Sequence, residues 1–284
     1  MATRASSAAK PRRRRKKRSK LAKLWPTATT RRRWWRHFKR TPGPLRILTV
    51  LVIVGVVWLA TNFVYQVIRK PTELFFPVSG TLFKTPVETW RSYSPIFRKH
   101  STNAISPELL AALAQVEGSG NPIARTYWRW SWGLRPFEIY RPATSAVGMY
   151  QMTDGTFAEA SHYCIHDHVV ATEGPWDDVH SCWLNNLYFR VIPSHSVELT
   201  SAYLDVKVAN TLARYRITHA SQLQKQHLAA TMHLCGAGAG DLYARHGFHF
   251  APGQRCGDHD PRVYLARVDA MMAIFRQLAA QDED

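Results

Sequence analysis

The chain has 284 residues, enough for one sizeable domain with additional segments. Its formal charge is +18, but 18 of the 38 Lys and Arg lie in residues 1–46, which contain no acidic residue. The other 20 basic residues balance the 20 acidic ones, so charge gives no argument for nucleic-acid binding outside that N-terminal arm.

The arm, residues 1–46, contains the charge runs Arg12–Arg18 and Arg31–Arg33 in a polar context. This composition predicts a disordered segment. One hypothesis is salt-dependent nucleic-acid binding by the arm alone, although no motif supports it. The alternative is a membrane-surface role, because the basic charges can hold anionic lipid headgroups and the aromatic residues Trp34–Trp35 and Phe38 suit an interfacial anchor.

An uncharged apolar stretch follows at Ile47–Ile68, bracketed by Arg46 and by Arg69–Lys70. Its length matches the hydrocarbon core of a bilayer and predicts one membrane helix. It is too long for the apolar region of a signal peptide, and no small-residue cleavage site follows. A buried helix of a soluble domain is the alternative. Asn62 and Gln66 lie in its last third, where an interface tolerates them.

The distribution of charge predicts the orientation of this helix. The positive-inside rule places residues 1–46 in the cytoplasm and the chain after about residue 70 outside it. Residues 69–104 are interpreted as a stalk or lead-in segment, with a short strand at Glu73–Val78, and residues 105–284 as the main domain.

Helical hydrophobic patterns recur in the main domain, and no strand alternation is sustained. The predicted fold class is therefore mostly α. Helices are expected at Gly155–Tyr163, Asp178–Ile192, Ala202–Tyr215, Gln222–Leu234 and Pro261–Ala280.

The four cysteines are Cys164, Cys182, Cys235 and Cys256. An even number in an exported domain predicts two disulfides. Of the three connectivities, Cys164–Cys182 with Cys235–Cys256 is the most local. Four reduced thiols in a cytosolic domain are the alternative.

A group of histidines surrounds the first cysteine, at His162, His166 and His168. Such residues can bind a metal, but their spacing fits no template cleanly. A polar loop beside a disulfide is the favoured interpretation, and neither a metal nor a cofactor is predicted.

The stretch Ser106–Pro122 (SPELLAALAQVEGSGNP) predicts a helix with Ser106 as N-cap. Its apolar stripe, continued from Leu110 and Leu113, reaches Glu117, so a carboxylate occupies a position that calls for an apolar side chain. Burial and the negative end of the helix dipole both disfavour its charged form. A proton-holding carboxyl is what a general acid needs. An exposed Glu at a frayed helix end is the alternative.

Two later stretches have compositions suited to binding a sugar. Thr126–Gly133 (TYWRWSWG) is rich in aromatic residues, including Tyr127 and Trp130, whose faces can pack on sugar rings. A core-capping aromatic cluster is equally compatible with this composition. In Ser145–Thr153 (SAVGMYQMT), a glycine permits close backbone approach and a glutamine offers an amide donor and acceptor.

Together these stretches resemble the soluble lytic transglycosylase domain of the lysozyme-like superfamily, over residues 105–280. The family's E-S-x-x-N-P-like motif corresponds to Glu117–Pro122 (EGSGNP), and G-A-x-G-x-x-Q to Ser145–Gln151 (SAVGMYQ). A-Y-N-A-G-P-G corresponds to Met232–Gly238 (MHLCGAG), and the Tyr that opens the final helix to Tyr264.

The resemblance implies a lysozyme-like α domain in which Glu117 is the catalytic acid and Tyr264 bonds to or orients it. His233 stands where the family has Tyr, Leu234 stands where it has Asn, and Gly118 stands where it has a Ser whose hydroxyl helps to hold substrate. The substrate-binding residues expected on this basis, together with the aromatic loop, are Gly118, Ser145, Gly148, Met149, Gln151, His233, Tyr127 and Trp130. The insertion at residues 125–144 would reshape the glycan cleft.

The implied activity is non-hydrolytic cleavage of the β-1,4 bond between N-acetylmuramic acid and N-acetylglucosamine in peptidoglycan, with one Glu as acid and base and 1,6-anhydro ends as products. A second carboxylate would instead favour a hydrolytic muramidase. Asp154 and Glu138 are the nearest candidates for it, and both are expected to cap or pair structurally.

A further alternative is a non-catalytic glycan-binding scaffold of an envelope complex, which Gly118 and the altered third motif favour. The implied partners are glycan strands, the bacterial inner membrane through one helix, anionic lipids through residues 1–46, and a cell-envelope protein complex. The implied location is the inner membrane, with the N-terminus in the cytoplasm and the C-terminal domain in the periplasm.

Overall fold

The computed structural model describes residues 27–178 and 181–282. They are mostly helical, as predicted, with two small two-stranded sheets. The chain divides into two compact units, one up to Thr61 and one from Asn62 onward. The charge run Arg12–Arg18 lies outside the described residues.

The first unit contains helix α1, Ala28–Arg40, and the beginning of helix α2, Gly43–Arg69. The whole arm was predicted to be disordered, but its residues Ala28–Arg40 form helix α1. The Thr27 side chain caps this helix by accepting a hydrogen bond from the Thr30 backbone N–H. The helix begins with alanine and is rich in arginine, and both residues have a high helix propensity. None of its residues is buried.

Helix α2 contains the whole of the predicted span, 47–68. Its 27 residues correspond to about 40 Å at 1.5 Å per residue. It is the one helix in the described chain that is long and apolar enough to cross a membrane.

The second unit is built around helix α5, Pro107–Gly118, whose residues Leu109 to Ala114 are all fully buried. It packs against α4, Pro86–Lys99, and α10, Pro261–Gln281. Leu109, Leu110, Leu113, Trp90, Phe97 and Phe275 belong to one hydrophobic core.

The remaining elements of the second unit, in chain order, are a 3₁₀ helix at Pro71–Phe75, α3 at Phe76–Ser79, β1 at Trp128–Trp130, β2 at Tyr140–Pro142, α6 at Asp154–Ala160, β3 at Tyr163–His166, β4 at Val169–Thr172, a 3₁₀ helix at Trp183–Leu187, α7 at Pro193–Arg214, α8 at Gln222–Cys235 and α9 at Ala237–Arg245. β1 pairs antiparallel with β2 in the register Arg129 to Arg141, and β3 pairs antiparallel with β4.

The structure assigns the lead-in segment differently from the sequence. Helix α4 contributes Trp90, Tyr93 and Phe97 to the core, so the segment before residue 105 is part of the domain rather than a stalk. The predicted strand at Glu73–Val78 is helical, because prolines near the start of each short helix remove N–H donors that a strand would pair.

One predicted helix is wrong. Asp178–Ile192 contains only the 3₁₀ helix Trp183–Leu187 among its described residues, and α7 begins at Pro193. Proline forces the preceding Ile192 into an extended conformation (φ −90°, ψ 120°), which separates the two segments.

The four cysteines form two disulfides, as predicted, and of the three connectivities left open the structure has the most local one, Cys164–Cys182 with Cys235–Cys256. The first ties β3 to the 3₁₀ segment, and the second holds the end of α8 to the loop before α10.

Candidate active site

Glu117 lies in the last turn of α5, where the apolar stripe predicted it. Its side chain is 19% exposed, so the expected half-buried position is observed. The helix ends one residue later, and Ser119 adopts a left-handed conformation (φ 48°) while its N–H bonds the Gln115 carbonyl. This turn holds the carboxyl at the edge of the core.

Tyr264 donates a hydrogen bond of 2.6 Å to Glu117 Oε1. Its side chain is almost fully buried in the first turn of α10, which packs along α5. Burial raises the pKa of Tyr264 well above its ordinary value, and the negative charge and hydrogen bond of Glu117 raise it further. The phenol therefore stays protonated, as a fixed donor to the carboxyl.

His233, near the end of α8, also lies close to this oxygen. Its Nε2 is 3.8 Å from Glu117 Oε1, and its side chain is 13% exposed. Within residues 27–178 and 181–282, the polar contacts found for the Glu117 carboxyl are all made by Oε1. Among these residues, no polar contact to Oε2 is found.

Gly118 has a packing role that the sequence did not predict. A Cβ atom built on Gly118 would lie 2.8 Å from Met149 Cα and 2.9 Å from the Met149 carbonyl oxygen. Only glycine allows the end of α5 to lie against this backbone. The residue is buried, and what it offers is close approach of two backbones.

The second motif forms the tight turn that meets Gly118. Gly148 has φ +83°, and a Cβ there would be 2.5 Å from the Arg190 carbonyl oxygen. Gln151 is also left-handed (φ 46°), and its Nε2 donates to the carbonyls of Ala124 and Gly148. The glutamine amide therefore stabilises the turn.

Two residues expected to bind substrate have internal contacts instead. Met149 is fully buried in the core. Ser145 Oγ accepts a hydrogen bond from the Asp154 backbone N–H, at the start of α6, and the Ser145 carbonyl accepts from Arg190. Both residues support the turn rather than face a groove.

A cavity of about 220 Å³ has His233 and Gln151 in its wall and so shares residues with this group, although Glu117 itself is not among its lining residues. Sequence reasoning missed several of its other lining residues, because these are threonines and a tyrosine outside any motif. Thr200 is the clearest case: its buried Oγ1 has no hydrogen-bond partner in the described part of the chain. The full lining is Gln151, Met152, Thr153, Thr156, Thr200, Tyr203, Met232, His233, Leu234 and Gly236.

The two candidates for a second carboxylate are paired with arginines. Asp154 Oδ1 is 2.6 Å from Arg190. Glu138 contacts Arg69 and Arg135 at 3.0 Å and Arg141 at 3.5 Å. As expected, both have structural partners.

The histidine-rich segment is occupied by other contacts. Cys164 is bonded to Cys182, His162 pairs with Glu173 at 2.6 Å, and His168 bonds the Ser101 carbonyl. Among the described residues, no group of three or more His, Cys, Asp or Glu is placed to bind a metal.

Tyr127 and Trp130 belong to the hairpin formed by β1 and β2, and both are exposed. This hairpin contacts the end of α2 and the segment that follows it. The structure therefore brings together Glu117, Gly118, Gly148, Gln151, His233 and Tyr264, and places Tyr127 and Trp130 on a separate surface.

Comparison with known proteins adds no relative. No protein-family model matches the chain, and no curated protein matches it. Any assignment of function therefore depends on the residues and geometry described above.

Proposed function

We propose that this protein is a membrane-anchored lytic transglycosylase that cleaves peptidoglycan glycan strands, with Glu117 as its single acid and base. The observation that carries the proposal is the 2.6 Å contact between Tyr264 and Glu117 Oε1, with His233 close by and a cavity beside it. The motif resemblance and this geometry involve the same residues.

In the proposed reaction, Glu117 protonates the oxygen that links C1 of N-acetylmuramic acid to N-acetylglucosamine, and the C1–O bond breaks. The acetamido group of the substrate stabilises the developing cation. Glu117 then removes the proton of the muramic C6 hydroxyl, whose oxygen bonds to C1. Protons balance, no water is consumed, and the product ends in a 1,6-anhydro sugar.

One carboxyl is enough for this sequence of steps. Retaining and inverting glycosidases use a second Asp or Glu across the bond. Asp154 and Glu138 both have structural partners in arginines, which supports the transglycosylase over the muramidase. The test is mass spectrometry of products from purified cell-wall sacculi: anhydro ends support the proposal, and reducing ends identify a muramidase.

Tyr264 is proposed as a positioning residue. In Tyr264→Phe, the carboxyl loses a hydrogen bond worth about 1.5–3 kcal/mol, so we expect kcat to fall about 10–100-fold with little change in KM. Tyr243→Phe is the matched control: Tyr243 is also buried but packs on Phe248 and Phe250. Equal kcat losses in both variants would contradict the positioning role.

The proposed topology places the N-terminus in the cytoplasm and the domain after α2 in the periplasm. It is supported by the apolar helix, the basic arm before it and the two disulfides, which persist in oxidising compartments. A reporter that is active only outside the cytoplasm, fused after residue 100, should be active. If a reporter that works only in the cytoplasm is active at the same fusion point, the periplasmic location and the access to peptidoglycan are contradicted.

A scaffold that binds glycan without cleaving it is the second candidate. The observation in its favour is Leu234, which lines the cavity where the family has Asn. Intact binding of sacculi with no product of either kind would support it.

A further inference from the structure

The hairpin β1–β2 is held against the last turns of α2 by two buried polar side chains. Asn62 Nδ2 donates to the Tyr140 carbonyl at 2.7 Å, and Gln66 Nε2 donates to the Phe137 carbonyl at 2.6 Å. Asn62 is 1% exposed although it belongs to a helix apolar enough to span a membrane. Polar side chains in such helices face a protein partner, and here the hairpin is that partner.

Ring and ion contacts extend this interface. Phe63 stacks on Trp128 with ring centroids 6.1 Å apart, and Tyr65 contacts Phe137. The hairpin thus packs on successive turns of the helix.

Ion pairs complete the attachment where α2 ends. Arg69 pairs with Glu138. Just after the helix, the buried Glu73 carboxylate pairs with Lys70 at 3.2 Å and Arg125 at 3.1 Å, and accepts a bond from the Trp128 indole. The base of the hairpin is therefore fixed to the segment that follows the helix.

The helix also sets the level of the hairpin relative to a bilayer. Arg69 is the first charged residue after the apolar stretch and marks its aqueous edge. Asn62 is seven residues earlier in the chain, or about 10 Å along the axis at 1.5 Å per residue. Hairpin residues 137–140 contact this part of the helix, so they would lie on the membrane side of Arg69, up to about 10 Å below its level.

The exposed surface of the hairpin has the composition of an interfacial membrane element. Trp132 is 91% exposed and Leu134 is completely exposed, and Tyr127 and Trp130 are also largely exposed. Large aromatic residues concentrate at membrane–water interfaces, where their rings are partly apolar and partly polar. These four large side chains between residues 127 and 134 expose apolar surface that water does not favour.

The charges of the hairpin specify the kind of lipid. Residues 125–144 contain four arginines and a single acid, Glu138, which is already paired. Arg129 and Arg135 are exposed beside the aromatic residues. Guanidinium groups bind phosphate oxygens well, so this surface is complementary to anionic phospholipid headgroups.

We propose that the β1–β2 hairpin docks on the membrane surface next to α2, with Trp132 and Leu134 inserted among anionic phospholipids. The chain after the hairpin continues into the turn at the candidate active site. Arg125, just before the hairpin, forms a β-bridge with Val147 in that turn, beside Gly148. Docking would hold Glu117 at a fixed height above the bilayer. The insertion at 125–144 is then a membrane element rather than a wall of the glycan cleft.

The test uses the full chain in vesicles of phosphatidylcholine with or without phosphatidylglycerol. All four cysteines are in disulfides, so Trp132→Cys or Leu134→Cys provides one thiol for a nitroxide label. Spin relaxation then compares collisions with oxygen, which concentrates in the bilayer, and with a water-soluble nickel complex. Leu223→Cys, an exposed apolar position on α8, is the matched control.

In anionic vesicles, we expect labels at 132 and 134 to collide more with oxygen than with nickel, and the label at 223 to show the reverse. Removing phosphatidylglycerol should reduce this difference. Nickel accessibility equal to that at 223, or shielding from both reagents, would overturn docking. The same depth in both lipid mixtures would overturn the choice of anionic lipid. Glycan cleavage is not measured, so failure here is distinct from failure of the proposed activity.

Discussion

Replacing Glu117 by Gln is expected to abolish glycan cleavage while the protein stays folded. The amide oxygen can still accept the hydrogen bond from Tyr264, so packing at the end of α5 is retained. The amide cannot deliver or remove a proton, and the loss of general acid–base catalysis costs about 10²–10⁴-fold in rate. Thermal unfolding and product analysis on purified sacculi measure the two effects separately.

Glu108→Gln is the matched control, because Glu108 lies in the first turn of the same helix. We expect cleavage by this variant at the natural rate and only a small loss of stability from the weaker interaction with the helix dipole. A Glu117→Gln protein that still formed anhydro ends at the natural rate would disprove the assignment of the catalytic acid.

Replacing Gly118 by Ala or Ser is expected to have the second largest effect. The new Cβ would be 2.8 Å from Met149 Cα, and neither backbone can move without disturbing the core. Overpacking of this kind costs about 1–3 kcal/mol of unfolding free energy. A shift of about 1 Å at the neighbouring Glu117 would also lower kcat by about 10²-fold.

Gly155→Ala is the matched control for this substitution. Gly155 is also helical, in α6, and a Cβ built there meets no atom within 4 Å. Alanine at that position should leave stability unchanged or raise it by up to about 1 kcal/mol. Denaturant unfolding of both variants gives the comparison.

The Ser variant separates two explanations of the unusual residue. If Gly118 is required for packing, then serine at this position, the residue found in the family that the motifs resemble, should destabilise this protein. A Gly118→Ser protein that is as stable as the natural one and cleaves faster would show that the missing hydroxyl, rather than packing, is what matters at this position.

Local patterns predicted the features that depend on neighbours in the sequence. The apolar stretch at 47–68 predicted α2, since length and hydropathy are properties of the segment itself. The stripe through Leu110 and Leu113 predicted that Glu117 would be half-buried, because residues seven and four positions apart share one helix face. The even number of cysteines predicted two disulfides, but not which cysteines pair.

Contacts between distant segments could not be predicted in this way. The aromatic composition of residues 126–133 suited a sugar-binding loop or a core-capping cluster equally, and the contacts with Asn62 and Gln66 in α2 show where the hairpin lies. Gly118 was interpreted as a lost hydroxyl, because the sequence does not show that Met149 lies against it. Helix α4 was assigned to a stalk because its partners, α5 and α10, include residues more than 150 positions later.

The sequence by itself determined the helical class, the apolar helix and the placement of one carboxyl at a helix end, because each follows from spacing along the chain, and the motif resemblance implied that Tyr264 meets that carboxyl. Only the tertiary structure decided which cysteines pair, how close His233 comes to the carboxyl, that glycine is needed beside it and that the aromatic hairpin packs on α2. These depend on packing between segments far apart in sequence, which no local pattern encodes.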